Sequence, residues 1–222
     1  MEKKAIHQKI GIILYTILSI CAFALILIIP ACREIFKSLS SHYPYLMGFA
    51  KFAILATAGE LIAARLAKGS WTLPVLIIPR FLIWGLIGIW ITFMMSVYRT
   101  AVFGGVLPVF GGAFTQRLLR AFYISVIMNT TFGPTFMAVH KCSDSYLELR
   151  ASGNKSPRLK EIMGAVDWTK FVSFTLFKTV PLFWIPAHTL TFLLPTEYQV
   201  MMAASLSVAL GIILNLGKSN KK

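Results

Sequence analysis

Glu60 is the one carboxylate that falls inside a long apolar run, and the cations at comparable depth are Lys51, Arg80, Arg99, Arg120 and Lys178. An ionisable group taken out of water either neutralises or finds an opposite charge. Such a residue therefore reads as part of a polar path or as an ion pair tying two helices together. Lys51 lies nine residues from Glu60, about 180° around one helix, and so is not its partner. Further along, Asn129-Thr130-Thr131 precedes Pro134, whose missing N–H opens a kink that amide and hydroxyl groups can satisfy. That midpoint suits either water and solute or a plain packing kink. A third group, Lys178, Pro181, Trp184, Pro186, His188, Thr189 and Thr191, crowds one stretch. Pro181, Trp184, His188 and Thr191 share a helical stripe. His188 titrates near neutrality if solvated and would then gate a path; in a helix interface it serves equally as a hydrogen-bond partner. The candidates for a polar pathway are Glu60, Asn129, Lys178, His188 and Thr191.

Catalysis finds little material. Membrane hydrolases and transferases need paired carboxylates or His/Cys metal clusters. Asp144 and Asp167 are the only two Asp residues, both in one loop. The segment Gly59-Glu60-Leu61-Ile62-Ala63-Ala64-Arg65 faintly echoes a lipid-phosphotransferase motif, but that chemistry needs several metal-binding Asp residues. Cys21, Cys32 and Cys142 have no CxxC spacing. The expectation is a protein that is not an enzyme, with no cofactor and no metal.

The elements that position these residues follow from composition. The 222 residues are 57% hydrophobic and 14% charged, with a mean hydropathy of +0.72. Soluble domains run at about 45–50% apolar and about 25% charged, so a water-soluble globule is excluded, and so is a disordered chain. The formal charge of +14 suggests nucleic acid at first sight, but apolar runs between the charges make membrane topology the better account, with no nucleic-acid partner.

A helix needs about 20 apolar residues to cross the hydrocarbon core. Six stretches qualify: Ile10–Ile29, Tyr45–Ala64, Phe81–Tyr98, Leu119–His140, Phe171–Leu194 and Tyr198–Leu216. Residues 101–113, with two Gly-Gly pairs around Pro108, hold too many breakers for a helix interior and read as an apolar loop or a re-entrant segment. With both termini in the cytoplasm, fifteen basic residues fall inside and five outside, the bias expected of a six-span protein. Trp71 and Trp168 then mark the inner interface, and Tyr43, Tyr45, Tyr98 and Tyr198 the outer. The Ile29-Pro30-Ala31-Cys32 sequence loosely resembles a lipoprotein cleavage box. The run before it is longer than a signal core, so a retained span is expected.

Small residues mark the packing seams. Ala53, Ala56, Thr57, Glu60, Ala63, Ala64 and Ala67 share a face of the second span, and Ala203, Ser207, Gly211 and Asn215 share one of the sixth. Small stripes let membrane helices approach closely, so Ala56, Ala63, Ala203, Ser207 and Gly211 are the expected packing positions. The last two spans, separated by Pro195-Thr196-Glu197, are expected to form a hairpin, and Ser156-Pro157 starts a short surface helix before 158–163.

The segment Trp184 to Tyr198, W-I-P-A-H-T-L-T-F-L-L-P-T-E-Y, resembles the C-terminal signature of the Mpv-seventeen/peroxisomal membrane protein twenty-two family. Trp184 and Phe192 fall at that family's spacing, Pro195 and Tyr198 match after a one-residue deletion, and Pro186 is displaced by one. Gly59-Glu60, Tyr98-Arg99 and Asn129 with Pro134 resemble its upstream motifs. His188 stands where the family has Gln, Thr191 where it has Asn, and Gln199 where it has Arg. The family's acid beside Asn129 is missing, and the first span is extra. The resemblance implies one membrane domain over 1–222: residues 1–42 as an added span and linker, and 43–222 as the family-like bundle. It also implies weakly selective passage of small metabolites; some members are linked to nucleotide pools and mitochondrial DNA maintenance.

Two functions compete. One is a channel or permeability factor for small solutes, anionic ones first because cations at the mouths enrich them. The other is a structural or regulatory bundle that organises lipid or partner proteins, with anionic lipid heads at the basic loops. The partners expected are the bilayer, a small-molecule solute and a second copy of the chain. A bacterial plasma membrane is the expected home, or an organelle membrane in a eukaryote.

Overall fold

Prolines and glycines punctuate the chain into helices. A computed structural model describes residues 2–219, with only the backbone described at 2–5, 7, 8, 211 and 214–219. Among the described residues all regular structure is helical: α1 (Glu2–Ile28), α2 (Pro30–His42), α3 (Pro44–Lys68), α4 (Ile77–Phe103), α5 (Ala113–Thr130), α6 (Phe132–Ala151), α7 (Leu159–Gly164), α8 (Trp168–Lys170), a π-helix (Phe171–Trp184), α9 (Ile185–Leu193) and α10 (Thr196–Ser219). Pro30 and Pro44 each open a helix at the position where a missing N–H costs nothing. Gly69, at φ 70°, closes α3 in the left-handed conformation that a side chain disfavours.

Three helices, Lys9–Ile28, Pro44–Lys68 and Ile77–Phe103, are long and apolar enough to cross a membrane, and the bent pair α5–α6 makes a fourth if it is one span. The protein is thus an all-helical bundle with membrane-spanning candidates. The third expected span extends to Phe103, and the Gly-rich segment after it is non-helical, with Gly105 and Gly111 at positive φ.

The helices fall into two compact units, Met1–Thr92 with Thr196–Lys222, and Phe93–Pro195. In the first unit α10 packs along α3, with α1 and α2 beside it. Small residues set this spacing: Ala53, Ala56, Ala203 and Ala204 are buried, and a Cβ on Gly59 would meet Val208 at 2.7 Å. Ala63 and Ser207 are half-buried at the margins, and the surroundings of Gly211 and Asn215 lie outside the described residues. The start of α4 crosses α3 closer still, since a Cβ on Gly88 would lie 2.2 Å from the carbonyl oxygen of Gly48. On α1, Tyr15 donates its hydroxyl to the Ile54 carbonyl of α3 at 2.9 Å.

α2 occupies the stretch expected from the sequence to be a linker. Phe36 and Ser40, one turn apart, are buried, while Glu34 and Lys37 pair at 3.0 Å on the exposed side. At 13 residues α2 is too short to cross the hydrocarbon core.

In the second unit α9 packs on α5 and on the π-helix, and α6 follows α5 after a 43° bend at Thr131. Thr130 and Thr131 turn their hydroxyls back to the carbonyls of Val126 and Ile127, and Pro134 sits in the first turn of α6, where it removes no needed donor. The bend therefore falls three residues before the proline. The π-helix runs for 14 residues with Pro181 inside, far beyond the single-turn bulges in which this conformation usually occurs. Because α9 packs on α5 and α10 on α3, the two helices flanking Pro195 belong to different units.

The Gly48–Gly88 crossing makes a clear prediction. Gly88→Ala should destabilise the detergent-solubilised protein by at least about 2 kcal/mol, because the added methyl meets a backbone carbonyl that cannot swing away. Gly11→Ala, with nothing within 4 Å of the new methyl, should be neutral or stabilising in a thermal unfolding series.

Candidate functional site

Each unit carries its own cluster of polar side chains. In the first, Arg80 and Trp84 lie one turn apart on α4 and both converge on Glu60 of α3. The Trp84 indole N–H donates to Oε1 at 2.9 Å, and Arg80 Nη1 stands 3.7 Å from the same oxygen. Arg80 also donates from Nε to the Val75 carbonyl at 3.1 Å, beside Leu76, whose φ of 54° is unusual for a branched side chain. The Glu60 side chain is 22% exposed and that of Arg80 10%, so the pair is only partly screened. Among the five basic candidates, Arg80 meets this carboxylate.

Lys51 has a different task. Its Nζ donates to Ser40 Oγ of α2 at 2.9 Å and to the Glu197 carbonyl of α10 at 3.0 Å, and lies 4.5 Å from the Phe36 ring centroid. Phe36 in turn stacks on Tyr198. One buried ammonium thus joins three helices, a role that spacing along the sequence could not reveal because both partners are remote.

In the second unit α5 and α9 enclose an amide–imidazole–hydroxyl cluster. Asn129 Nδ2 donates to the Ser125 carbonyl at 2.8 Å and lies 3.0 Å from His188 Nδ1. His188 Nδ1 also lies 3.2 Å from Asn129 Oδ1, so the ring accepts from the amide N–H or donates to its oxygen according to its tautomer. The hydroxyl of Ser125 donates to the Ile185 carbonyl at 2.7 Å, and the His188 ring lies against Trp184, 5.3 Å between centroids. Ser125 is fully buried, Asn129 is 3% exposed and His188 9%. Thr191 is also fully buried and returns its hydroxyl to the Ala187 carbonyl of its own helix.

Four of the five pathway candidates lie in the second unit and Glu60 in the first. Asn129 and His188 meet directly. Thr191 is one turn from His188 but spends its hydroxyl locally. Lys178 is exposed on the π-helix, and Glu60 belongs to the other unit. Ser125 was missed, although its position one turn before Asn129 on the same face was the available signal. A cavity of about 410 Å³ in the first unit opens among Ile12, Tyr15, Thr57, Leu61, Ile77 and Phe81. Its lining is mostly apolar, with the hydroxyl side chains of Tyr15 and Thr57 among it. Chemically, these clusters can hold helices in register.

No family model matches this chain, and no curated protein or solved structure matches it.

Replacing Glu60 tests the first cluster. Glu60→Gln keeps an oxygen for the Trp84 N–H and loses only the charge, whereas Glu60→Ala leaves the indole and guanidinium to find new partners, at a cost of about 1–3 kcal/mol. Thermal unfolding in detergent should rank wild type above Gln and Gln above Ala; equal loss for both would mean that charge alone matters.

Proposed function

We propose that the chain is a multi-pass membrane protein of six spans with cytoplasmic termini, acting as a structural or regulatory bundle that organises lipid and partner proteins without conducting. The observation that supports this reading is the way the buried polar side chains are used. Glu60 is engaged by Trp84 and Arg80, and Lys51 by Ser40 and Glu197. Asn129 is engaged by Ser125 and His188, and Thr191 by its own helix. In hydrocarbon, a polar group satisfied across a helix interface acts as glue. The excess of basic residues would bind anionic headgroups, and a bacterial plasma membrane is the home we assign to it. Catalysis has no part in this proposal.

A second reading, a permeability factor for small anionic solutes, draws on the resemblance of the Trp184–Tyr198 segment and on the polar cluster buried between α5 and α9. Intramembrane polar groups often line solute paths, and His188 would be the residue that a passing solute meets.

Reconstituted liposomes decide between the two. With chloride and small carboxylates as solutes, we expect efflux no faster than from protein-free vesicles, for wild type and for His188→Ala alike. Efflux well above that background, altered by His188→Ala or Glu60→Gln, would replace the first reading with the second.

A further inference from the structure

The segment between α6 and the π-helix carries an apolar face that packing leaves open. In α7, Leu159 and Met163 stand one turn apart on one side, 69% and 43% exposed. Ile162 of the same helix is half-buried, and Val166, just beyond its end, is buried. The segment is ordered by its own hydrogen bonds. The Arg158 N–H donates to Glu161 at 2.7 Å, the Ser156 N–H to Asn154 at 3.1 Å, and the Trp168 indole to the Met163 carbonyl at 2.8 Å. The first of these bonds, followed by one from Asn154, holds the Glu161 carboxyl below the usual carboxylate range. Around the outward face Arg150, Lys155, Arg158 and Lys160 are exposed, four cations against the single acid Glu161 between residues 150 and 163. The segment is tethered at both ends, by α6 before it and, through α8, by the apolar π-helix after it.

We infer that α7 is an interfacial anchor: Leu159 and Met163 dip into the anionic leaflet of the membrane that holds the chain, while Lys155, Arg158 and Lys160 engage its phosphates. The inference rests on the membrane reading above and names which surface meets the lipid. A short helix with apolar residues on one side and lysines and arginines at its edges lies in the plane of the headgroups. Each such cation contributes to binding an anionic surface over roughly a Debye length. The tether at both ends removes most of the entropic cost of docking, so two apolar side chains are enough where a free peptide would need more. Trp168, at the edge of the same surface, is a residue type enriched at that depth.

The test uses the full chain with Cys21, Cys32 and Cys142 replaced by Ser and a single Met163→Cys carrying an environment-sensitive fluorophore. It is reconstituted in nanodiscs of phosphatidylcholine alone or with added phosphatidylglycerol. In the anionic discs the emission should shift to the blue and be quenched by doxyl-labelled lipid, and high salt should reverse both effects. Lys160→Gln should lower the docked-to-free ratio about fivefold, and Leu159→Ser should lower it as well. The inference is overturned if the probe at 163 behaves like one at Asn154→Cys in both discs, or if it is quenched equally with and without phosphatidylglycerol. A probe at Leu86→Cys on α4 separates the two claims. Its quenching in every disc supports the membrane reading whatever α7 does, and its failure to be quenched overturns that reading instead.

Discussion

A charge at membrane depth has no water to fall back on, and two such charges organise the first unit. Glu60 on α3 accepts the indole N–H of Trp84 and faces the Arg80 guanidinium, so α3 and α4 share one ionic contact whose geometry is set by two residues a turn apart. Lys51, on the same α3, points elsewhere and is held by a hydroxyl of α2, a carbonyl of α10 and an aromatic face. Because an unpaired charge would cost several kcal/mol in this medium, neither contact can be given up without rearranging the helices that supply it. The register of α2, α3, α4 and α10 follows from these two side chains as much as from apolar packing.

Close approach makes those contacts reachable. Gly48 and Gly88 let α3 and α4 touch backbone to backbone, and Gly59 with the buried alanines does the same for α3 and α10. In lipid the hydrophobic effect gives little reason for one apolar helix to choose another, so shape and hydrogen bonds decide. The second unit uses hydroxyls and an amide in place of formal charges. Ser125, Asn129 and His188 join α5 to α9, and Thr130 and Thr131 reinforce the turn of helix just before the bend.

The same chemistry explains why a polar residue in an apolar run is ambiguous. Whether it lines a path or closes an interface depends on partners that lie far away in sequence. Asn129 and His188 are 59 residues apart, and Glu60 and Trp84 are 24 apart. Asn129, His188 and Glu60 stand out within their own segments, but Trp84 does not, and no pairing is visible within one segment. Ser125 and Ser40 passed unnoticed because a serine in a helix is unremarkable until an amide or an ammonium is found beside it.

Composition and the length of the apolar runs determined the class of fold: hydrocarbon can be crossed only by segments that satisfy their own backbone, and helices of this length do so locally. The surface helix after Pro157 was legible for the same reason, since its start depends on residues within one turn of it. The tertiary structure decided which helix packs on which, where the bend falls and what becomes of each buried charge. Those outcomes depend on distances across the bundle, which no periodicity within a single helix encodes.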